Sequence, residues 1–269
     1  MSDPLPPLLL VGCGKMGGAM VAGWREQGAA EILAVEPNAE AAARTPGLRA
    51  VPDAAAIPEG FRPAAVILAI KPQEAEAALP AYARFAEAGA VIVSIMAGRS
   101  VAFLQRLLSA RASVVRAMPN TPAAVRQGFT AAFAAPGVAP ADRGLADRLL
   151  AAIGEVAWVE REDLLDAVTA VSGGGPAYVF LLAEMLEMAA LDQGLPPDLA
   201  RRMARATVAG SGALLAASEE DAAALRRAVT SPKGTTERAL AVLMAEDAWP
   251  LLMRRAIAAA TARSRELGG

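Results

Sequence analysis

The sequence predicts an α/β fold, a doubly wound parallel sheet, followed by an all-α domain. Three observations carry this. Short apolar runs alternate with helical stretches up to about residue 160, the pattern of a parallel sheet covered on both faces. A glycine cluster stands between the first run and the first helical stretch. Beyond residue 160 no β-branched run of strand type remains.

The elements follow in order. Residues 8–11 form a buried apolar run, and the helical pattern through 19–27 stops at Gly28. Residues 31–35 read as a second strand closed by Pro37, and 65–70 as a third ended by Lys71-Pro72. A helical stretch over 73–88 contains Pro80, which kinks or breaks it. Strands are expected at 90–95, 114–117, 130–134 and 157–159, with a helix at 101–110. Helical stretches then cover 176–193, 197–217, 220–229, 235–245 and 249–266. This places a boundary near residue 160, giving domains 1–160 and 161–269. Residues 176–188 are apolar nearly all round, relieved by Glu184 and Glu187. A helix of that kind is buried on several sides, and a second chain supplies the missing cover, so the helical half is read as a dimerisation domain.

Composition bounds the chemistry. The 269 residues are 55% hydrophobic and 20% charged, enough for a large core, and aromatics at 4% make that core aliphatic. A net charge of −2 leaves no basic footprint for nucleic acid. With no histidine and one cysteine, a disulfide framework, a histidine triad and the usual His/Cys zinc sites are excluded, and no metal is expected. Mean hydropathy is +0.36, yet the apolar stretches look shorter than the roughly 20 residues of a spanning helix. The N-terminus lacks a basic region. The expectation is a soluble cytoplasmic protein with no membrane partner.

The strongest motif is Gly12-Cys13-Gly14-Lys15-Met16-Gly17, after a strand and opening a helix. Its glycines make a tight turn and admit a pyrophosphate to the helix N-terminus, the Rossmann-type arrangement. Glu36, at the end of the second strand, is placed to accept from an adenosine ribose. Lys71-Pro72 follows a later strand and borders the same crevice, whereas Ser94 to Gly98 and Met118 to Pro122 are each either part of that edge or a plain turn or loop, and composition leaves the two even. In the helical half, Ser172-Gly173-Gly174-Gly175-Pro176 is a glycine turn that permits close approach to a ligand or a neighbouring chain. The run Thr230 to Glu237 is either an anion site at a helix N-terminus or a simple capping turn, and chemistry alone leaves the two even.

These segments together resemble the pyrroline-5-carboxylate reductases. The resemblance rests on Val11 to Gly17, Ala69 to Gln73, Ser94 to Gly98, Arg116 to Pro122, Val171 to Tyr178 and Val229 to Thr236. It implies NAD(P)H-dependent reduction of 1-pyrroline-5-carboxylate to L-proline, and a homodimer assembling to a decamer. It implies a cofactor site at Gly12, Cys13, Gly14, Lys15, Met16, Gly17, Glu36, Ala69, Ile70, Lys71, Pro72, Met96, Ala97 and Asn120. The substrate turn it implies comprises Ser231, Gly234, Thr235 and Thr236, with Thr236, Glu162 and Glu219 as catalytic candidates. Gly174 and Lys233 depart from the family's usual Ser and Gly. Glu36 stands where many members carry Ser or Thr, and it leans the reading toward NADH. A rival, a hydroxy-acid dehydrogenase, needs a lysine base in the helical half, where only Lys233 occurs. A second rival, a nucleotide-binding regulatory module without catalysis, predicts a damaged substrate turn, whereas Ser231, Gly234 and Thr236 are all present.

Overall fold

The computed structural model describes residues 4–29 and 31–268. Its first half runs β1 (Leu8–Val11), α1 (Lys15–Glu26), β2 (Ile32–Val35), α2 (Ala39–Ala43), β3 (Arg49–Val51), β4 (Ala65–Leu68), α3 (Ala75–Ala78), α4 (Ala83–Glu87), β5 (Val91–Ser94), α5 (Val101–Leu107) and β6 (Val114–Met118). Then come β7 (Gly128–Ala134), α6 (Pro140–Ala151), β8 (Gly154–Trp158), α7 (Leu164–Val168) and a π-helical turn (Thr169–Gly173). The last helices are α8 (Gly175–Asp192), α9 (Pro197–Ala217), α10 (Ala222–Ala228), α11 (Thr235–Leu243) and α12 (Trp249–Gly268).

The strands form one sheet in the order β3-β2-β1-β4-β5-β6-β7-β8. Leu8 pairs with Ile32 on one side and Ala65 on the other, so β1 sits inside the sheet. Its residues alternate between the two faces. Leu9 and Val11 join the core with Leu79, Phe85 and Leu104, while Leu8 and Leu10 join that with Met20, Trp24 and Leu149. Both faces are covered, which is why β1, β4 and β5 are apolar at nearly every position. Trp24 Nε1 donates to Leu149 O (2.8 Å), tying α1 to α6.

The sheet departs from the all-parallel expectation at one place. β6 and β7 are antiparallel, and β8 runs parallel to β7. Only nine residues separate β6 from β7, fewer than the dozen or so a parallel crossover needs. Four of these elements lay outside the sequence reading: α2, β3, α6 and α7. β3 is a three-residue strand whose Arg49 is exposed, too short for a periodic signal. Pro80 does break the 73–88 stretch, into α3, a 3-10 turn and α4.

Contacts divide the chain into two compact units, one running to Gly173 and taking back the chain from Ala260, the other Gly174–Ala259. The sequence reading placed a single boundary near residue 160, whereas the division by contacts falls after Gly173. α7 packs on β6 and β7. At the other end Ser264 Oγ donates to Asp166 Oδ1 (2.7 Å), and a Cβ on Gly98 would lie 2.9 Å from Leu267 O. In the helical unit α8 packs on α9, yet large apolar side chains stay exposed, among them Phe180, Leu214 and Val242. A groove of about 650 Å³ is lined by Tyr178, Leu181, Met185, Trp249, Leu252 and Met253. The helical stretch Leu164–Asp192 is, against expectation, long and apolar enough to cross a membrane by length and composition. The π turn follows α7 directly, and Gly174 alone separates it from α8, so the apolar run is longer than the sequence suggests.

One buried group in the sheet lacks a partner. Thr130 on β7 is fully buried and its Oγ1 makes no hydrogen bond among the described residues. An unpaired buried hydroxyl costs about 1–3 kcal/mol. Thr130→Val, equal in shape, is expected to raise the denaturation midpoint with activity unchanged. A lowered midpoint would mean that the hydroxyl is satisfied.

Candidate functional site

The crevice edge begins where β1 ends. Gly12 takes φ +92°, a region that favours glycine, and a Cβ there would meet Ala69 O at 2.8 Å. A Cβ on Gly17 would meet Gly12 O at 2.4 Å. Two of the three glycines are therefore fixed by close backbone packing. Gly14 differs, since a Cβ there meets nothing within 4 Å. The space above Gly14 is open.

Gly14 is the N-cap of α1, with no side-chain cap and no acidic residue in the first turn. The first bond inside the helix is from Gly18 N–H to Gly14 O (2.8 Å). The amides of Lys15, Met16 and Gly17 precede it and face the open end. Unsatisfied amides, a helix dipole and an approachable glycine suit a pyrophosphate. The residues present thus fit a dinucleotide.

Glu36 completes this corner in a way the sequence did not show. Its Oε2 accepts from Cys13 N–H (2.7 Å) and its Oε1 from Asn38 N–H (2.9 Å). The carboxylate is fixed by the glycine loop itself, with lone pairs left for a ribose. Cys13 is buried, its Sγ 3.5 Å from Thr45 Oγ1. Burial pushes the thiol pKa above its ordinary value, so it stays protonated. Met96 is also buried and packs in the core with Leu104. Ala69, Ile70, Pro72 and Ala97 lie half-buried along the strand ends, and Lys71 is exposed.

Asn120 stands two residues past β6 with its amide fully engaged. Oδ1 accepts from Phe129 N–H (2.9 Å), and Nδ2 donates to Ser172 O (3.3 Å) and Ser172 Oγ (3.1 Å). Glu162 Oε1 accepts from Arg116 Nη1 (2.7 Å) and from Val101 N–H (2.7 Å), the first amide of α5. It lines a cavity of about 400 Å³ with Arg116, Asp163, Asp166 and Arg265. Sequence reasoning missed the Arg116–Glu162 pair and the Asn120–Ser172 link, because no spacing rule joins residues that far apart in the chain.

In the helical unit, Gly234 is the N-cap of α11 without a side-chain cap. Two of the turn's amides are already used. Gly234 N–H donates to Ser231 O (3.0 Å), and Lys233 N–H donates to Glu237 Oε2. The Gly234 amide is thus not free to bind an anion. The amides of Thr235 and Thr236 precede the first helical bond, from Arg238 N–H to Gly234 O (3.3 Å), and stay available. Lys233 adopts φ +59°, which explains why glycine suits that position. Ser231, Thr235 and Thr236 are exposed. Glu219 is exposed, with no ion pair among the described residues.

The family model described as pyrroline-5-carboxylate reductase dimerisation matches residues 162–267, and that described as NADP oxidoreductase, coenzyme F420-dependent, matches residues 8–98. A pyrroline-5-carboxylate reductase of Pseudomonas aeruginosa is 40% identical over 97% of each chain. One from Haemophilus influenzae is 32% identical over 97% of each. The solved structure of a pyrroline-5-carboxylate reductase from Coxiella burnetii superposes with a TM-score of 0.90 at 30% identity, covering 98% of this chain and 99% of that one. A Plasmodium falciparum pyrroline carboxylate reductase, solved with NADP bound, shares the fold at a TM-score of 0.84 and 23% identity over all of both chains.

The glycine loop separates fold from binding. Gly12→Ala is expected to lower stability, since its Cβ meets backbone. Gly14→Ala is expected to keep the melting temperature while weakening ADP-ribose about tenfold or more in calorimetry. Unchanged affinity in Gly14→Ala would mean that the phosphates do not pass over this glycine.

Proposed function

The chain belongs to the pyrroline-5-carboxylate reductase family, and from that premise we propose how its own residues share the reaction. It is an oxidoreductase that reduces 1-pyrroline-5-carboxylate to L-proline with a nicotinamide dinucleotide. When bound, the reduced nicotinamide supplies a hydride to the C=N carbon, and one proton at the ring nitrogen completes the secondary amine. The chain's residues bind, orient and supply hydrogen bonds.

The observation that carries the assignment of the substrate end is the open start of α11. The Thr235 and Thr236 amides and the helix dipole favour an anion there, and the substrate carries one carboxylate. Ser231 adds a hydroxyl whose donor has no partner among the described residues. The Thr236 hydroxyl faces the ring nitrogen in this reading. A hydroxyl is a poor acid near neutral pH, so its role is to hold the water that gives the proton. Glu219, exposed and without an ion pair among the described residues, orders that water. Glu162, committed to Arg116 and Val101, instead fixes the start of α5 beside the crevice edge.

The cofactor corner leans toward NADH. Glu36 is held by two amides, and a 2′-phosphate brought a few Å from it costs on the order of 1–4 kcal/mol. NADP in the name of the matching family model and in the Plasmodium structure argues for the other choice. Arg44, at the end of α2, offsets the repulsion if it folds back. The apolar face of the helical unit is covered by a second copy of the chain, and a decamer built from such dimers is the larger assembly proposed from the resemblance. Reduced nicotinamide dinucleotides are intracellular reductants, which supports the cytoplasmic placement.

Three measurements test these assignments. Thr236→Val is expected to lower kcat tenfold to a hundredfold, the loss of one hydrogen bond to a reacting group, with cofactor affinity intact. Wild-type kcat and substrate KM in that variant would reduce the turn to a helix cap. The ratio of kcat/KM for NADH over NADPH is expected to exceed one and to fall in Glu36→Ser. A preference for NADPH that Ser leaves unchanged contradicts the Glu36 assignment. Light scattering at micromolar concentration is expected to show no monomer, and an active species of 27.5 kDa would refute the shared apolar face.

A further inference from the structure

We infer that Asn120 is a positioning residue and that Ser172, which it orients, donates a hydrogen bond to the carboxamide oxygen of the cofactor's nicotinamide. The inference rests on the nicotinamide reading above and adds a residue to it.

The orientation of the Asn120 amide is fixed by two unambiguous partners. Phe129 N–H is a donor only, so the atom facing it at 2.9 Å is the amide oxygen. Ser172 O is an acceptor only, so the atom facing it at 3.3 Å is the amide nitrogen. That nitrogen also lies 3.1 Å from Ser172 Oγ, and the serine oxygen there accepts. Its hydroxyl proton therefore turns away from Asn120, and no acceptor takes it among the described residues. A half-buried hydroxyl with one lone pair tied down and its proton free is a directed donor.

Its place in the fold says what that donor meets. Ser172 belongs to the π-helical turn Thr169–Gly173, and such turns recur at functional sites. Thr169 Oγ1 donates to Leu165 O (2.7 Å), and a Cβ on Gly173 would meet Met118 Cε at 2.8 Å. The turn is thus packed on the end of β6, with Asn120 as its polar tether. β6 is parallel to β5 and separated from β1 by β4 and β5. That is on the order of 14 Å along the edge at about 4.8 Å per strand. Glu36, on the β2 side of the phosphate cradle, takes the adenosine end. The other end of a dinucleotide extends past β4 and β5 toward this donor. The carboxamide is the polar handle of the nicotinamide ring, and its oxygen is an acceptor. One directed hydroxyl fixes which ring face is presented.

The test separates the two halves of the cofactor. Binding is measured for the reduced dinucleotide, NADH or NADPH, whichever the wild type holds more tightly, by quenching of its fluorescence. The matching ADP-ribose, with or without the 2′-phosphate, is measured by calorimetry. Ser172→Ala removes only the donor. Asn120→Asp still accepts from Phe129 N–H but puts a carboxylate oxygen against Ser172 Oγ, so the serine proton turns toward it and away from the ligand. Both variants are expected to weaken the reduced cofactor about tenfold and to leave ADP-ribose within twofold of wild type, and Ser172→Thr is expected to retain wild-type affinity. Ser172→Ala with wild-type affinity for the reduced cofactor overturns the inference. So does an equal loss for both ligands, which marks a structural role. Asn120→Asp with wild-type affinity overturns the positioning role of Asn120. A wild-type protein that binds neither dinucleotide contradicts instead the nicotinamide reading on which this rests.

Discussion

The backbone packing at the end of β1 is the constraint on which the dinucleotide unit depends. Gly12, Gly17 and Ala69 approach so closely that no Cβ fits at either glycine. The approach is possible because β1 lies between β2 and β4 and is buried on both faces. It seats the first turn of α1 directly above the strand end and leaves its leading amides open. It also brings Cys13 N–H to Glu36, so one packing arrangement sets both the phosphate cradle and the carboxylate beside it.

The helical unit answers to a different constraint. Its core is built from small residues such as Ala190, Ala200 and Ala204, and its large side chains point outward. A chain this poor in aromatics has few bulky groups to fill its own interior. Apolar area left on α8 and α12 is area for another copy to cover. The last turns of α12 return to Gly98, next to the crevice edge, so the chain's end belongs to the dinucleotide unit and not to the helices that precede it.

Much of this was legible in the residues, for identifiable reasons. Runs such as Leu8 to Val11 and Ala65 to Leu68 are apolar because both faces are buried, and a glycine at a strand end beside a helix has few alternative uses. α2, β3, α6 and α7 left weaker traces, since they are short or mixed in composition. The antiparallel β7 was hidden because strand direction is set by the length of a connection, not by the residues within the strand. Partners that lie far apart in the chain, Glu36 with Cys13, Glu162 with Arg116 and Asn120 with Ser172, leave no periodic signature. The turn at Ser231 was legible as a helix start, but the bond that removes the Gly234 amide from the donor set is visible only in three dimensions.

This chain moves a hydride from a nicotinamide to the imine carbon of a cyclic amino acid. Mass spectrometry of the product formed from 1-pyrroline-5-carboxylate and reduced cofactor deuterated at the transferred position tests it most directly. The expected product is L-proline carrying one deuterium on the ring carbon that had been doubly bonded to nitrogen. Oxidation of the cofactor without labelled proline, or no turnover of this substrate by the intact oligomer, would contradict it.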